Sequence, residues 1–545
     1  MPIGLDTLIA RNQNRSTVTG QEGMVCTSQP LATQIGIDIL KAGGNAIDAA
    51  LAANAMLSLV EPFSCGPGGD LFAIVWSEKD QKLFGLNASG RSPYDWSLDE
   101  AGKLGLQHID PYSPLAWSVP GCVSGWQTLA DRFGTLSLAQ LLEAPIHYAR
   151  QGFAVTPIIA HDWSGIEGAT STGLAKTFAP NGRAPRCGET FKNPDLADFL
   201  DIIGRDGAQA FYQGEVADRI VRYSEGHGGR FSRRDFQEHT DAWVEPVSSS
   251  YRGYDVWQLP PNGQGIAVLQ MLNLLEHFDI AALEPNSAKH LHLLIESKKL
   301  AFEDRAVYYA DLDFADVPVQ QLISKDYAQQ RVKLIDDQRA APTVAPGRLS
   351  GSADTVYLTA ADCHGNMVSL IQSIYHGWGS GYVPDGLGFV LQNRGQLFSL
   401  NRAHRNQLEP HKRPFQTIIP GFVTQNDQPL FAFGVMGGDF QPQGHAQILM
   451  NLIDFSMSAQ QAGQQPRIAH HESSTPTGLK MIGAGTVTFE QHIPLDVRQD
   501  LADMGHNLAP TTSVFGGYQG IWRLENPRRY LGGSDPRKDG NALGY

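Results

Sequence analysis

The sequence predicts an α+β protein with a mainly antiparallel sheet. Three observations carry this. Several long stretches place apolar residues at three-to-four spacing, the period of a helix packed on one face. Short β-compatible runs bounded by turn residues occur between them. The two kinds come in runs instead of the strict alternation that a parallel βαβ sheet requires.

Taken in order, Ala32–Ala42 (ATQIGIDILKA) is helical and stops at Gly43–Gly44, a C-cap signal. Ala46–Val60 is apolar almost all round and reads as a buried helix. Leu71–Trp76 reads as a strand, Gly121–Phe133 and Leu138–Gln151 as helices, and Tyr254–Leu259 as a strand. Ser287–Arg305 is the longest amphipathic stretch; its Glu296, Glu303 and Asp304 are expected to form a solvated or ion-paired face. Thr355–Ala361, Met367–Tyr375 and Leu430–Gly434 complete the strand readings.

The 545 residues suffice for a sizeable core without staples. At 42% hydrophobic and 18% charged, the chain does not have the composition of a disordered one. Lys and Arg number 42 against 56 Asp and Glu, with no basic stripe, so nucleic acid and membrane surfaces are not expected partners. Five widely spaced cysteines without a CxxC argue against a disulfide framework or a structural zinc site. The N-terminus shows no signal-peptide pattern and no apolar run reaches membrane-spanning length, so the expected location is the cytoplasm.

Common site signatures are missing: there is no GxGxxG, P-loop, HExxH or GxSxG. Gly66–Gly69 reads as a tight turn, and His470–His471 on an extended segment point opposite ways, so no metal site and no cofactor are expected. The informative segment is residues 351–381, where two strand-like runs flank Asp362-Cys363-His364-Gly365-Asn366. With Asp362 opposite Asn366, Thr355 falls opposite Ser373, and opposed Cβ atoms lie about 4.5–5.5 Å apart. From register alone the simpler reading is an ordinary cross-strand pair of hydroxyls.

This segment resembles the gamma-glutamyltranspeptidase family of N-terminal-nucleophile hydrolases. The shared skeleton is Thr355, Asp362, Gly365-Asn366, Val368, Ser373 and Gly379-Ser380-Gly381. Upstream, Gly43–Ala50 and Val60-Glu61-Pro62 with Gly66–Gly69 match family blocks. Pro120-Gly121, Tyr251–Tyr254, Pro260-Pro261, Leu300–Phe302 with Asp304-Arg305, Lys412–Pro414, Gly437-Gly438 and Asp535–Arg537 with Asp539-Gly540 follow in family order. Each block is weak; their order over nearly the whole chain is specific.

The resemblance implies a four-layer αββα sandwich and a proenzyme. Thr355 would attack the Asp354 carbonyl and cleave the chain into residues 1–354 and 355–545, which stay together as a heterodimer, with further dimerisation left open. The freed α-amine of Thr355 would be the base for its own hydroxyl, Ser373 would hold that hydroxyl, and the Gly437 and Gly438 N–H groups would form the oxyanion hole.

The acyl pocket departs from the family pattern. Leu397 stands where an Asp meets the substrate amine, Arg394 replaces a Gln, Tyr375 an Asn, and Gln416-Thr417 a Ser-Ser pair. Arg91 is near, but shifted from, the carboxylate-binding Arg. Arg394 and Arg91 suit a carboxylate, and the Gln392-Asn393-Arg394-Gly395 stretch with the missing Asp resembles the subgroup containing oxamate amidohydrolase. The expected function is hydrolysis of a small carboxylate-bearing amide through an acyl-enzyme on Thr355. A gamma-glutamyltransferase or glutathione hydrolase, a glutaryl-type acylase and an unprocessed binding protein are the alternatives.

Overall fold

The computed structural model describes residues 15–166, 172–342, 354–510 and 515–545. The N-terminal reading at residues 1–14 and the Gly351–Ala353 part of the informative segment lie outside them.

Two seven-stranded antiparallel sheets form the centre. One runs in the order Val18–Gly20, Arg529–Ser534, Tyr518–Leu524, Gln428–Val435, Gly421–Gln425, Tyr254–Gln258, Val247–Tyr251. The other runs Asn541–Gly544, Met24–Thr27, Asp354–Ala361, Met367–Tyr375, Asp70–Ser77, Lys82–Ala88, Ala242–Val244. Side-chain parity explains the layering. Along Asp70–Ser77, Leu71, Ala73 and Val75 pack toward helices, whereas Phe72, Ile74 and Trp76 join Phe422, Ala432 and Ile521 of the other sheet. Every residue of this strand is buried, so it reads as a continuous apolar run without alternation.

Helices cover both outer faces, giving the expected four layers. On one side lies Ala46–Val60, buried along its whole length and started by a capping box between Asn45 and Asp48. On the other side Ile266–Leu275, Ala288–Tyr308 and Gln441–Ile453 pack on the sheet that contains Gly421–Gln425 and Gln428–Val435. Among the described residues no helix is long and apolar enough to cross a membrane.

The Ala288–Tyr308 helix decides between the two expected readings of its charges, in favour of ion pairing. It is not solvated on one face: Glu296, Glu303 and Asp304 are all buried. Burial is tolerated because the charges are partnered: Glu296 pairs with Lys299 at 2.7 Å, Asp304 with Arg331 at 3.2 Å, and Glu303 accepts from Ser474.

Buried histidines make the fold acid-sensitive. Desolvation pulls His290 down to about 4, and His445 and His506 down to about 3. They are neutral in the fold but protonate near 6.5 once unfolded, so their contribution is complete above that pH and is lost as pH falls. Between pH 7 and 5 each loses about 2 kcal/mol. Glu303, raised by burial to about 7, acts in the opposite direction and offsets about one of them. Thermal denaturation should therefore begin markedly earlier at pH 5 than at pH 7; equal onsets would contradict this.

Candidate active site

The hairpin built from Asp354–Ala361 and Met367–Tyr375 positions the two hydroxyls. Asp362 organises its turn: Oδ1 accepts from the N–H groups of His364, Gly365 and Asn366, and Oδ2 from Ala46 N–H at 2.9 Å. The expected register holds from Val356 opposite Gln372 to Ala361 opposite Met367. It slips between Asp354 and Val356, so Thr355 sits at an irregularity instead of in a regular pair. A bulge bends its strand and re-aims the side chain. The Thr355 hydroxyl still reaches Ser373, donating to its Oγ at 3.4 Å. Both residues are buried.

Ser373 Oγ is the hub of this cluster. It also accepts from Tyr375 N–H at 2.8 Å and from Arg394 Nη2 at 3.1 Å. Tyr375 has φ 79°, a left-handed conformation that an aromatic residue adopts only when its surroundings impose it. From a second sheet and helix, Gln441 Nε2 donates to Thr355 Oγ1 at 3.4 Å. Gln441 opens the Gln441–Ile453 helix, just after Gly437 and Gly438. Those glycines have φ 120° and 54°, and their N–H groups have no acceptor among the described residues. The loop therefore carries donors without an acceptor among the described residues, three residues before the Gln441 that reaches Thr355 Oγ1, and such donors are what an oxyanion hole requires.

Arg394 occupies a different place from the one expected. It is fully enclosed, donates through Nη1 to Thr417 Oγ1 at 2.6 Å, and lies 4.4 Å over the Tyr375 ring. Burial pulls its pKa down to about 10, with the Asp70 carboxylate opposing that shift. It thus remains charged at neutral pH and holds Ser373 from behind. Arg91 is not brought to the cluster. Its guanidinium pairs with Asp311 at 3.3 Å and Asp313 at 2.8 Å. The two-arginine carboxylate receptor expected from sequence is not assembled.

Sequence reasoning missed Asp70, Gln441 and Asp439. Asp70 lies opposite Ser373 on the neighbouring strand. It is fully buried and accepts from Gly90 N–H (2.9 Å), Gly121 N–H (3.2 Å), Gln392 (2.9 Å) and Gln416. Burial raises its pKa, and Arg394 is the strongest opposing influence. A signal was present. Asp70 directly follows Gly68-Gly69, where a Cβ would lie 2.0 Å from the Val390 carbonyl and 2.3 Å from that of Ser373. The glycines permit that approach and so bring Asp70 against Ser373.

A cavity of about 200 Å³ adjoins the cluster through Tyr375 and Asp439. Leu397, Phe398, Leu400 and Phe415 form much of its wall. The Leu400–Lys412 segment beside it is pinned through Asn406, which donates to the carbonyls of Leu397 (2.7 Å) and Pro476 (3.0 Å). Elsewhere, His292, Glu296 and His506 are spaced for a metal ion. Each already has a protein partner: the two rings bond at 2.8 Å and Glu296 is paired with Lys299.

A family profile described as Gamma-glutamyltranspeptidase matches residues 32–545. The glutathione hydrolase-like YwrD proenzyme of Bacillus subtilis is 38% identical, the match covering 97% of this chain and 99% of that one. The oxamate amidohydrolase proenzyme of Klebsiella pneumoniae is 33% identical over 97% of this chain and 100% of its own. The crystal structure of a cephalosporin acylase from Bacillus halodurans superposes with a TM-score of 0.90 at 42% identity, covering 98% and 97% of the two chains. These matches span both halves of the chain, the helical layers as well as the hairpin that carries Thr355 and Ser373. The chain belongs to the gamma-glutamyltranspeptidase family.

Proposed function

We propose that this enzyme is a self-processing amidohydrolase whose nucleophile is Thr355. The observation that carries the reading is the placement of the Thr355 hydroxyl on a strand irregularity, 3.4 Å from Ser373 Oγ and reached by Gln441, which follows a glycine loop whose N–H donors have no acceptor among the described residues. In the precursor the Thr355 hydroxyl attacks the Asp354 carbonyl, the peptide nitrogen leaves as the new α-amine, and water cleaves the resulting ester. That amine has a reference pKa of about 7.7–8.0, so a substantial neutral fraction accepts the hydroxyl proton near pH 7.5.

In turnover Thr355 Oγ1 adds to the substrate carbonyl, and the oxygen that becomes negative is received by the Gly437 and Gly438 N–H groups. The leaving amine takes the proton, and water then releases the acyl group as an acid. Donors on Ser373 Oγ keep that oxygen fixed, so the Thr355 hydroxyl is oriented before substrate arrives.

The sheet topology supports a stable pair of chains after cleavage. Asp354–Ala361 pairs on one side with Met24–Thr27, and Asn541–Gly544 pairs on the other side of that same strand. Both products thus share one sheet. The named relatives are a hydrolase-like protein, an amidohydrolase and an acylase, which supports a small-molecule amide as substrate.

Intact-mass measurement of purified protein tests the reading. Two polypeptides are expected, residues 1–354 and 355–545, the second beginning with Thr355. A single 59.4 kDa chain that persists for days would refute it.

A further inference from the structure

We infer that the acyl pocket of this site selects a cationic acyl group, with Asp439 as the receptor for its ammonium. The inference rests on the amidohydrolase reading above and adds the charge of the substrate. Asp439 directly follows Gly438, so its carboxylate stands next to the proposed oxyanion donors and within the cavity wall. It is the only carboxylate, ammonium or guanidinium side chain among the residues lining that cavity. Neither Arg394 nor Arg91 lines it.

Asp439 is held in place from behind. Arg305 Nη1 bonds its Oδ1 at 2.7 Å. Arg305 is itself fixed by Gln264 Oε1 at 2.6 Å, by the Ser474 carbonyl at 2.9 Å and by the Phe302 ring at 3.8 Å. It is fully buried, so its charge stays behind the wall while the Asp439 side chain is 28% exposed. The second carboxylate oxygen has no partner among the described residues. A substrate therefore meets one carboxylate in a wall that combines apolar residues such as Leu397, Phe398 and Phe415 with neutral polar ones such as Gln107, Gln396 and Thr475.

This arrangement favours one charge and rejects the other. A short acyl chain covers the apolar wall, and a terminal ammonium reaches the free oxygen in a charge-assisted hydrogen bond. A terminal carboxylate would be buried beside a like charge with no cation facing it.

The test uses the processed native protein and four p-nitroanilides of matched chain length: 4-aminobutyryl, butyryl, glutaryl and γ-glutamyl. By kcat/KM, 4-aminobutyryl should exceed butyryl by about tenfold or more, and glutaryl should fall about tenfold or more below butyryl. Asp439→Asn should lower the 4-aminobutyryl-to-butyryl ratio of kcat/KM toward one and raise the glutaryl-to-butyryl ratio. Should that variant fail to fold, inhibition of butyryl turnover in the native protein gives the same answer: 4-aminobutyramide should compete and glutaramate should not. Preference for glutaryl, an unchanged ratio in the variant, or no turnover of any of the four by fully processed protein overturns the inference. Absence of processing would instead overturn the Thr355 reading itself.

Discussion

Thr355→Ala is expected to accumulate as one 59.4 kDa chain without amidase activity. The hydroxyl is needed twice, first to cut its own peptide and then to carry the acyl group, and the second use depends on the first. Without cleavage the nitrogen of residue 355 remains an amide and cannot accept a proton. Losing both nucleophile and base should lower kcat by on the order of a thousandfold or more. Folding should survive. Thr355 contributes one long hydrogen bond to Ser373 and one to Gln441, both 3.4 Å, and a small side chain fits the same strand. The native-like far-ultraviolet spectrum of the variant would separate loss of chemistry from loss of structure. Thr355→Ser keeps the hydroxyl and should still process. If the alanine variant were cut at the same bond, Thr355 would not be the nucleophile of processing.

The main elements of the fold were legible because their signals are local. Ala46–Val60, Leu138–Gln151 and Met367–Tyr375 appear with the boundaries their patterns predict. Hairpin register was also legible, since Asp362, Gly365 and Asn366 fix the turn and parity then fixes every pair. The slip at Thr355 was not, because a bulge leaves no mark in residue type. Contacts between distant segments were equally hidden. The Ala288–Tyr308 helix looks half-solvated by its charges, yet partners for them come from Arg331, Asp439 and Ser474, far along the chain. Arg394 was legible as a charge near the nucleophile. Its direction was not, because that direction depends on Asp70, Thr417 and Ser373 at once. Asp439 escaped for a similar reason: beside two glycines it reads as a turn residue, and only the cavity gives its carboxylate a role.

Arg394→Met is expected to damage stability and catalysis together, and the two effects can be separated. The side chain is fully buried and its charge faces Asp70, itself fully buried. Removing the cation leaves the buried Asp70 carboxylate without the strongest influence that opposes its desolvation, which destabilises the fold. Asp70 would respond by binding a proton, since burial already raises its pKa and Arg394 is the first influence holding it down. At a fixed scan rate the thermal transition should therefore move down, and further down at higher pH, where the proton is harder to retain. Asp70→Asn in the same background removes the stranded charge and should recover part of the loss. Recovery is partial because Asp70 accepts from Gly90, Gly121, Gln392 and Gln416, more donors than one amide oxygen can serve. Catalysis should not recover. Ser373 loses the guanidinium donor at 3.1 Å whichever residue occupies position 70, and a charge-assisted hydrogen bond contributes about 1.5–3 kcal/mol. That corresponds to roughly 10- to 100-fold in kcat. Arg394→Lys keeps the charge for Asp70 but cannot span Ser373 and Thr417 with one ammonium, so it should preserve stability better than rate. If the double variant regained rate along with stability, Arg394 would act on the fold alone and not on Ser373.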